Sequence, residues 1–426
     1  MPDEWRRGGD AGPVSVNWLE QFDDTQLTSL VAEALEANYL LEQERARLVE
    51  VQQAVVIARA DRLPAVDASI DGTRRGAEDG PGDSTVTETF NTGLDARWEL
   101  DLWGRLSKAQ QAAQLDYAAQ QARLESAERN LAVSTASAVF DVMEARQILE
   151  VVQRRLDNAR ESRDIVATGY RQGLNEALDL YLAENQVERQ EAAYAEQQQT
   201  LSETIADLQL LLARYPDGDM QLRGRLPVIT TPIPSGLPSE LLARRTDLQE
   251  AWLGLLAADA DLAAAHKARF PSLSLVGSGG ATSVEFADLL DGDTFWSISG
   301  NLSQPLFQAG RLAALEEQAA ARVRQSEQVY LDLLYRAFAD VEDAISREVS
   351  LRERYQSFLE AERNATAALE LALEQYRRGL VPYTTVLESQ RQAFDAETTV
   401  VQLRNLLLQN RLALHLSLGG EFTTDF

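Results

Sequence analysis

The sequence predicts an α+β membrane protein with an internal two-fold repeat. Short strands supply part of a β-barrel shared between chains, and very long helices continue it as an α-helical barrel. Three observations lead there. The first is a duplication: Gly104-Arg105-Leu106 returns as Gly310-Arg311-Leu312, and Tyr170-Arg171-Gln172-Gly173-Leu174 as Tyr376-Arg377-Arg378-Gly379-Leu380, both pairs 206 residues apart. The second is a pair of runs, Arg105 to Thr168 and Arg311 to Arg378, of 64 and 68 residues without glycine or proline. The third is a strictly alternating segment, Leu94 to Leu102, whose apolar residues all fall on one side.

Composition narrows the function classes. With 40 basic and 67 acidic residues among 426, the formal net charge is -27. That argues against nucleic acid as a partner, because phosphate binding needs a basic surface. There are no cysteines and only two histidines, His266 and His415, each alone in a helical stretch and read as packing residues. Thiolate chemistry is ruled out, no phosphate-binding glycine loop is present, and neither a metal nor another cofactor is expected. No apolar run is long enough for a transmembrane helix. Met1 to Val16 is polar and lacks the apolar core of a signal peptide.

The elements follow in chain order. An extended segment is expected over 1–24, then repeat 1 over 25–214. Within it the pattern gives a helix from Thr25 to Arg62, strands near 65–72 and 90–102, a long helix 105–168 and a returning helix 175–213. A linker, 215–237, follows; the stretch from Tyr215 to Pro238 holds five prolines and cannot continue a helix. Repeat 2, 238–418, gives a helix from Pro238 to Arg269, strands near 271–277 and 294–306, a long helix 311–378 and a returning helix 382–418, before a tail 419–426. Polar, glycine-rich loops are expected from Gly72 to Glu88 and from Gly277 to Asp293.

The long helices are rich in good helix formers, and each would extend about 100 Å. Leu124, Leu131, Ala138, Ala145, Val152 and Ala159 are spaced by seven, and Thr135, Val142, Leu149 and Leu156 form a second seam. Tyr330, Ala337, Ala344, Leu351, Phe358 and Ala365 repeat the spacing in the other copy. Heptads imply coiled-coil packing along the whole length. Taken alone they also fit a soluble coiled-coil scaffold.

The strands speak against a scaffold. Leu94, Ala96, Trp98, Leu100 and Leu102 point one way and Asp95, Arg97, Glu99 and Asp101 the other; Trp296, Ile298 and Leu302 alternate with serines in the second copy. Apolar-out, polar-in segments of this length mark a transmembrane β-barrel. Phe90, Trp103, Phe295, Trp296 and Phe307 near the segment ends suit interfacial girdles. Leu94, Trp98, Leu100, Leu102, Trp296, Ile298 and Leu302 are therefore the expected lipid-facing residues. Four strands cannot close a barrel, and an open sheet edge cannot face lipid. Several chains must share one: two would supply eight strands, three twelve.

Three groups of residues resemble the TolC-type outer-membrane efflux family, most of all its OprM-like members. They are Asp101-Leu102-Trp103-Gly104-Arg105 with its counterpart Pro305 to Arg311; Tyr376-Arg377-Arg378-Gly379-Leu380 followed by Val386-Leu387-Glu388-Ser389-Gln390; and Trp18 with Leu27, Leu30, Ala34, Leu35 and Asn38. The resemblance covers about Asn17 to Gly419. It implies a homotrimer with a twelve-strand barrel in the outer membrane of a Gram-negative bacterium and a twelve-helix tunnel across the periplasm. It further implies a periplasmic adaptor (membrane fusion protein) and an inner-membrane pump of the resistance-nodulation-division class. The duct performs no chemistry: it is a passive exit, for small molecules or, in type I secretion, for proteins.

The resemblance also nominates site residues. Asp179, six residues after Gly173, and Tyr376, three before Gly379, fall where the family places a gate-closing pair, which here would be a hydrogen bond. Glu388 falls at an acidic ring position, where three copies would attract cations. Thr385 and Val381 depart from the family pattern, which has a second acidic residue and, in TolC itself, an arginine there. Gly173 and Gly379 suit a positive φ at the turns, leaving Leu174 and Leu380 exposed for adaptor contact. OprM-like members are exported and often lipidated on an N-terminal cysteine; this sequence shows neither feature, as a mature or truncated form would.

Overall fold

The computed structural model describes Trp5 and residues 18–80, 83–228 and 241–420. Most of the segment 1–24, the linker from 229, the start of repeat 2 before Leu241 and the tail after Gly420 lie outside the described residues. In chain order the elements are α1 (Thr25–Ala37), α2 (Tyr39–Ala60), β1 (Ala65–Gly80), β2 (Asp83–Leu100), α3 (Arg105–Arg171), α4 (Ala177–Leu211), α5 (Leu241–Arg244), α6 (Thr246–Lys267), β3 (Ser272–Ser283), β4 (Asp293–Ser303), α7 (Arg311–Arg377) and α8 (Tyr383–Ser417). Short 3-10 turns occupy Trp18–Phe22 and Phe286–Asp288.

Three differences from the sequence reading have local causes. Trp18–Phe22 is a turn and not extended, because turning buries Trp18, Leu19 and Phe22 together. The first helix is two: Asn38 breaks it, its side-chain oxygen accepting from the Leu40 and Leu41 amides at 2.9 and 3.2 Å, a cap for α2. The strands run past their apolar bands, so most of Gly72 to Glu88 is a paired hairpin and not a loop. Backbone ladders do not require apolar side chains: Thr73 pairs with Thr89, and Arg74 opposite Glu88 makes a 3.2 Å ion pair.

The chain forms two compact units. These are not the two repeats; each unit takes segments from both, and α3 and α7 each give their first part to one unit and the remainder to the other. In the unit made of 45–123 and 247–333, one antiparallel sheet has the order β1-β2-β3-β4. Register carries the alternation from strand to strand. Ala68, Leu94, Gly279 and Trp296 lie in one row, as do Ala96, Gly277 and Ile298, then Trp98 and Leu275, then Leu100, Leu273 and Leu302. The opposite face holds Asp67, Asp95, Ser278 and Ser297 in one row, with Arg97 within 3.6 Å of Asp67 and the two serine hydroxyls 2.7 Å apart. Within the described chain β1 and β4 are edges with one unpaired side each.

The step from β2 into α3 is built by Asp101. Its carboxylate accepts from the amides of Leu106 and Ser107 at 3.0 and 2.8 Å and from the Ser107 hydroxyl, satisfying donors that the first turn of a helix leaves open. Gly104 turns the chain there with φ +75°, and Arg105 reaches back to Glu99 at 2.8 Å.

The other unit, 1–44, 124–246 and 334–426, is helical. Its core gathers Trp18, Phe22, Leu27 and Val31 against Val139, Phe140 and Val142 of α3, Leu208 of α4 and Leu408 and Leu412 of α8. Of the heptad positions, Thr135, Val142, Ala145, Leu156, Ala159, Ala337, Ala344 and Leu351 are buried, while Leu124, Leu131, Ala138, Leu149, Val152, Tyr330, Phe358 and Ala365 are half-buried. His415 is buried too, stacked on Trp18, and burial with the neighbouring Arg411 charge lowers its pKa to about 4, so it packs as a neutral ring. His266, in the sheet-bearing unit, is exposed: its ring packs edge-on against Phe270, with centroids 5.6 Å apart, and meets Glu316 at 2.8 Å.

Candidate gate at the helical turns

Two helical turns, one per repeat, carry the nominated residues, and both close in the same way. Gly173 takes φ +74°, and the Leu174 amide donates back to the Gly169 carbonyl at 2.8 Å. Gly379 takes φ +71°, and the Leu380 amide donates to Gln375 at 2.9 Å. A side chain at either glycine would be strained in the left-handed region, which ends the helix and frees the next residue. Leu174 and Leu380 are therefore exposed, at 75% and 69%, alongside Leu178 and Tyr181.

The repeats differ in how the turn is tied down. Asn175 donates its side-chain amide to the Val166 carbonyl at 3.1 Å, and Gly169 leaves room for it, since a Cβ there would sit 2.3 Å from the Asn175 nitrogen. The corresponding residues of the second copy are Val381 and Gln375, which cannot make this tie.

Above the turns lies a small core of Val166, Ala183, Ala372, Tyr383 and Val386, with Tyr376 packed against it. Tyr376 and Tyr383 face each other with ring centroids 5.6 Å apart. The Asp179–Tyr376 hydrogen bond expected from the sequence is not formed: the Tyr376 hydroxyl is buried and has no hydrogen-bond partner. The ring packs instead against Tyr383 and the small core beside it. Asp179, in the first turn of α4, is nevertheless near enough to act on it; burial first, then this carboxylate, raise the Tyr376 pKa. Burial also pushes the Tyr383 hydroxyl up to about 12. Two turns further on, Gln390 of α8 donates to the Ser162 hydroxyl of α3 at 3.1 Å, and both are buried.

Glu388 is exposed, as its nomination requires, but it is not a bare charge. Arg391 donates to both of its carboxylate oxygens, at 2.6 and 3.0 Å, and Gln392 adds a bond at 2.8 Å. These contacts lower the Glu388 pKa to about 2. Tyr383, Asn175 and Arg391 escaped the sequence reading, and Gln390 was read only as part of a family motif, with no role of its own. For Arg391 a signal existed, since an acid three residues before an arginine on a helix is a facing pair.

The family model for outer membrane efflux proteins matches residues 30–214 and 237–420, once for each repeat. The chain belongs to the outer membrane efflux protein family. Among the curated relatives of this efflux protein, the cation efflux system protein CusC of Escherichia coli O157:H7 is 30% identical over 420 residues, covering 95% of this chain and 88% of the relative. The pyoverdine export outer membrane protein OpmQ of Pseudomonas aeruginosa (strain PAO1) is 29% identical, covering 100% and 92%. Among solved structures, the outer-membrane channel OprN superimposes with a TM-score of 0.89 at 27% identity, covering 97% of this chain and 94% of that one. The efflux protein is an outer-membrane channel that extends into the periplasm and serves as the exit duct of an efflux pump. These relatives are channels, not enzymes.

Proposed function

We propose that the duct is a homotrimer, whose three four-strand sheets close into a twelve-strand barrel and whose helices form a twelve-helix tunnel. The observation that carries the sharing of one barrel is the sheet itself, with one continuous apolar face and an unpaired edge on both β1 and β4; the number three is what the family resemblance implies. Lipid cannot satisfy those backbone edges, whereas a second copy can. In this arrangement Leu94, Trp98, Leu100, Leu102, Trp296, Ile298 and Leu302 face lipid. Leu174 and Leu380, with Gly173 and Gly379 shaping their turns, form the tip that meets a periplasmic adaptor. The inner-membrane pump behind that adaptor is of the resistance-nodulation-division class.

The narrow end is gated by Asp179, Tyr376 and Glu388. Asp179 makes no hydrogen bond or ion pair among the described residues, so its carboxylate is available to a donor on a neighbouring copy. The cargo is small molecules or ions. Two relatives at 30% and 29% identity are named for cations and for pyoverdine, which supports the pump, and not the duct, as the selector.

Reconstitution into planar bilayers tests the reading. Purified protein is expected to give small unitary steps, and Asp179→Ala larger ones. An inserted, folded protein that conducts nothing in either form contradicts it.

A further inference from the structure

Glu388 stands at the end of a row of alternating charges. Arg391 grips it through Nε and Nη2, at 3.0 and 2.6 Å, and turns its remaining nitrogen, Nη1, to Asp395 Oδ2 at 3.4 Å. Asp395 Oδ1 in turn accepts from Arg155 of α3 at 3.0 Å, and the Arg155 guanidinium lies over the Phe394 ring, 5.2 Å from its centroid. The row Glu388, Arg391, Asp395, Arg155 sums to zero formal charge. Arg391 is thus held from behind as well as in front, and its side chain has a reason to stay on Glu388 that a lone surface pair lacks.

An acid with an arginine fork on both oxygens presents a dipole, whose field falls off faster than that of a charge. We propose that Arg391 is the specificity-determining residue of the narrow end: by holding Glu388 as an ion pair, it keeps the constriction close to neutral and lets anionic as well as cationic cargo pass. This rests on the reading that Glu388 faces the lumen. Arg391 is the charged group that bears on Glu388 among the described residues, with Asp395 acting on Arg391 and Arg155 on Asp395.

The test is the reversal potential of single channels in a potassium chloride gradient, for the wild-type protein, R391Q, E388Q and the double variant. R391Q is expected to shift the permeability ratio several-fold toward potassium, E388Q toward chloride, and the double variant to lie near wild type. Lowering the pH to about 4 separates a gripped acid from a free one. Glu388 in R391Q regains an ordinary carboxylate pKa, so its gain over the double variant shrinks on acidification, while wild type and the double variant stay alike. R391K, which keeps the charge but loses the fork, is expected to fall between wild type and R391Q. A shift in E388Q with none in R391Q overturns the role of Arg391. Four identical ratios instead overturn the lumen-facing placement of Glu388, and the proposal with it.

Discussion

The rings of Tyr376 and Tyr383 lie 5.6 Å apart, tilted by 50°, and neither hydroxyl finds a hydrogen-bond partner although both are buried. Both oxygens have lost water without gaining a full hydrogen bond, although Ser162 lies near the Tyr383 hydroxyl and Asn175 near that of Tyr376, at the end of the helical unit where the chain reverses. A buried unmade bond costs about 1–3 kcal/mol, so this is a place where the fold gives up stability. Tyr383→Phe is expected to raise stability by about 1 kcal/mol, and Tyr383→Ala to lower it by about 3–5 kcal/mol through the cavity left behind. Thermal melting of the detergent-solubilised protein checks both.

The same hydroxyl predicts a response to alkali. Burial raises the Tyr383 pKa in the fold to about 12, above the tyrosine reference value of 10.0. The folded chain therefore keeps its proton where the unfolded chain has lost it. The contribution is complete below the unfolded pKa and disappears as pH rises through the window between the two values, by about 2–3 kcal/mol. Tyr383→Phe is expected to remove this extra alkaline loss. Melting midpoints across that window, wild type against variant, give the answer; parallel curves speak against a buried, titrating Tyr383.

Midway along α3 a second titrating group acts near neutrality. Glu144 and Asp141 both accept from the single Asn405 side-chain amide, at 2.5 and 2.8 Å. Burial, outweighing the Asn405 bond and helped by Asp141, raises the Glu144 pKa to about 7. A raised carboxyl pKa means stability that is present below the unfolded value and lost as pH rises through the folded one. Glu144→Gln is expected to be more stable than wild type at alkaline pH by about 2 kcal/mol, discounted for partial exposure, and close to it in acid. Melting midpoints on either side of neutrality check it.

In the sheet, Gly280 pairs with Gly93, and a Cβ on Gly280 would lie 2.0 Å from the Thr92 carbonyl oxygen. Backbone, not a flexible side chain, fills that space, so the strands must separate to admit a larger residue. Gly280→Val is expected to cost about 3 kcal/mol or more and to abolish the slow-migrating assembled band in unheated gels. Survival of that band would show the β2–β3 approach to be looser than described.

Much of this was readable from spacing. The alternation from Leu94 to Leu100 fixes which side chains share a face, and neighbouring strands align their apolar positions with it because pleating leaves no other choice; Leu102, expected in the same strand, lies in the turn past the end of β2. The heptads place Thr135, Val142 and Ala344 in the interior, since a long helix can bury only such a seam. Strand lengths were less legible, because Thr73 to Ala77 pair through the backbone, which leaves no apolar trace. The turn glycines were readable from their chemistry, but the Tyr376 hydroxyl was not. Its ring packs on Tyr383, a contact that no spacing announces. Glu388 was legible as an acid and illegible as a pair, although its partner sits three residues away.

The central claim is that copies of this chain share one barrel. Native mass spectrometry of the detergent-purified protein tests it most directly, the chain mass being 47.2 kDa. The account predicts a complex of three chains that detergent must accompany. A folded single chain, stable in water without detergent, contradicts it.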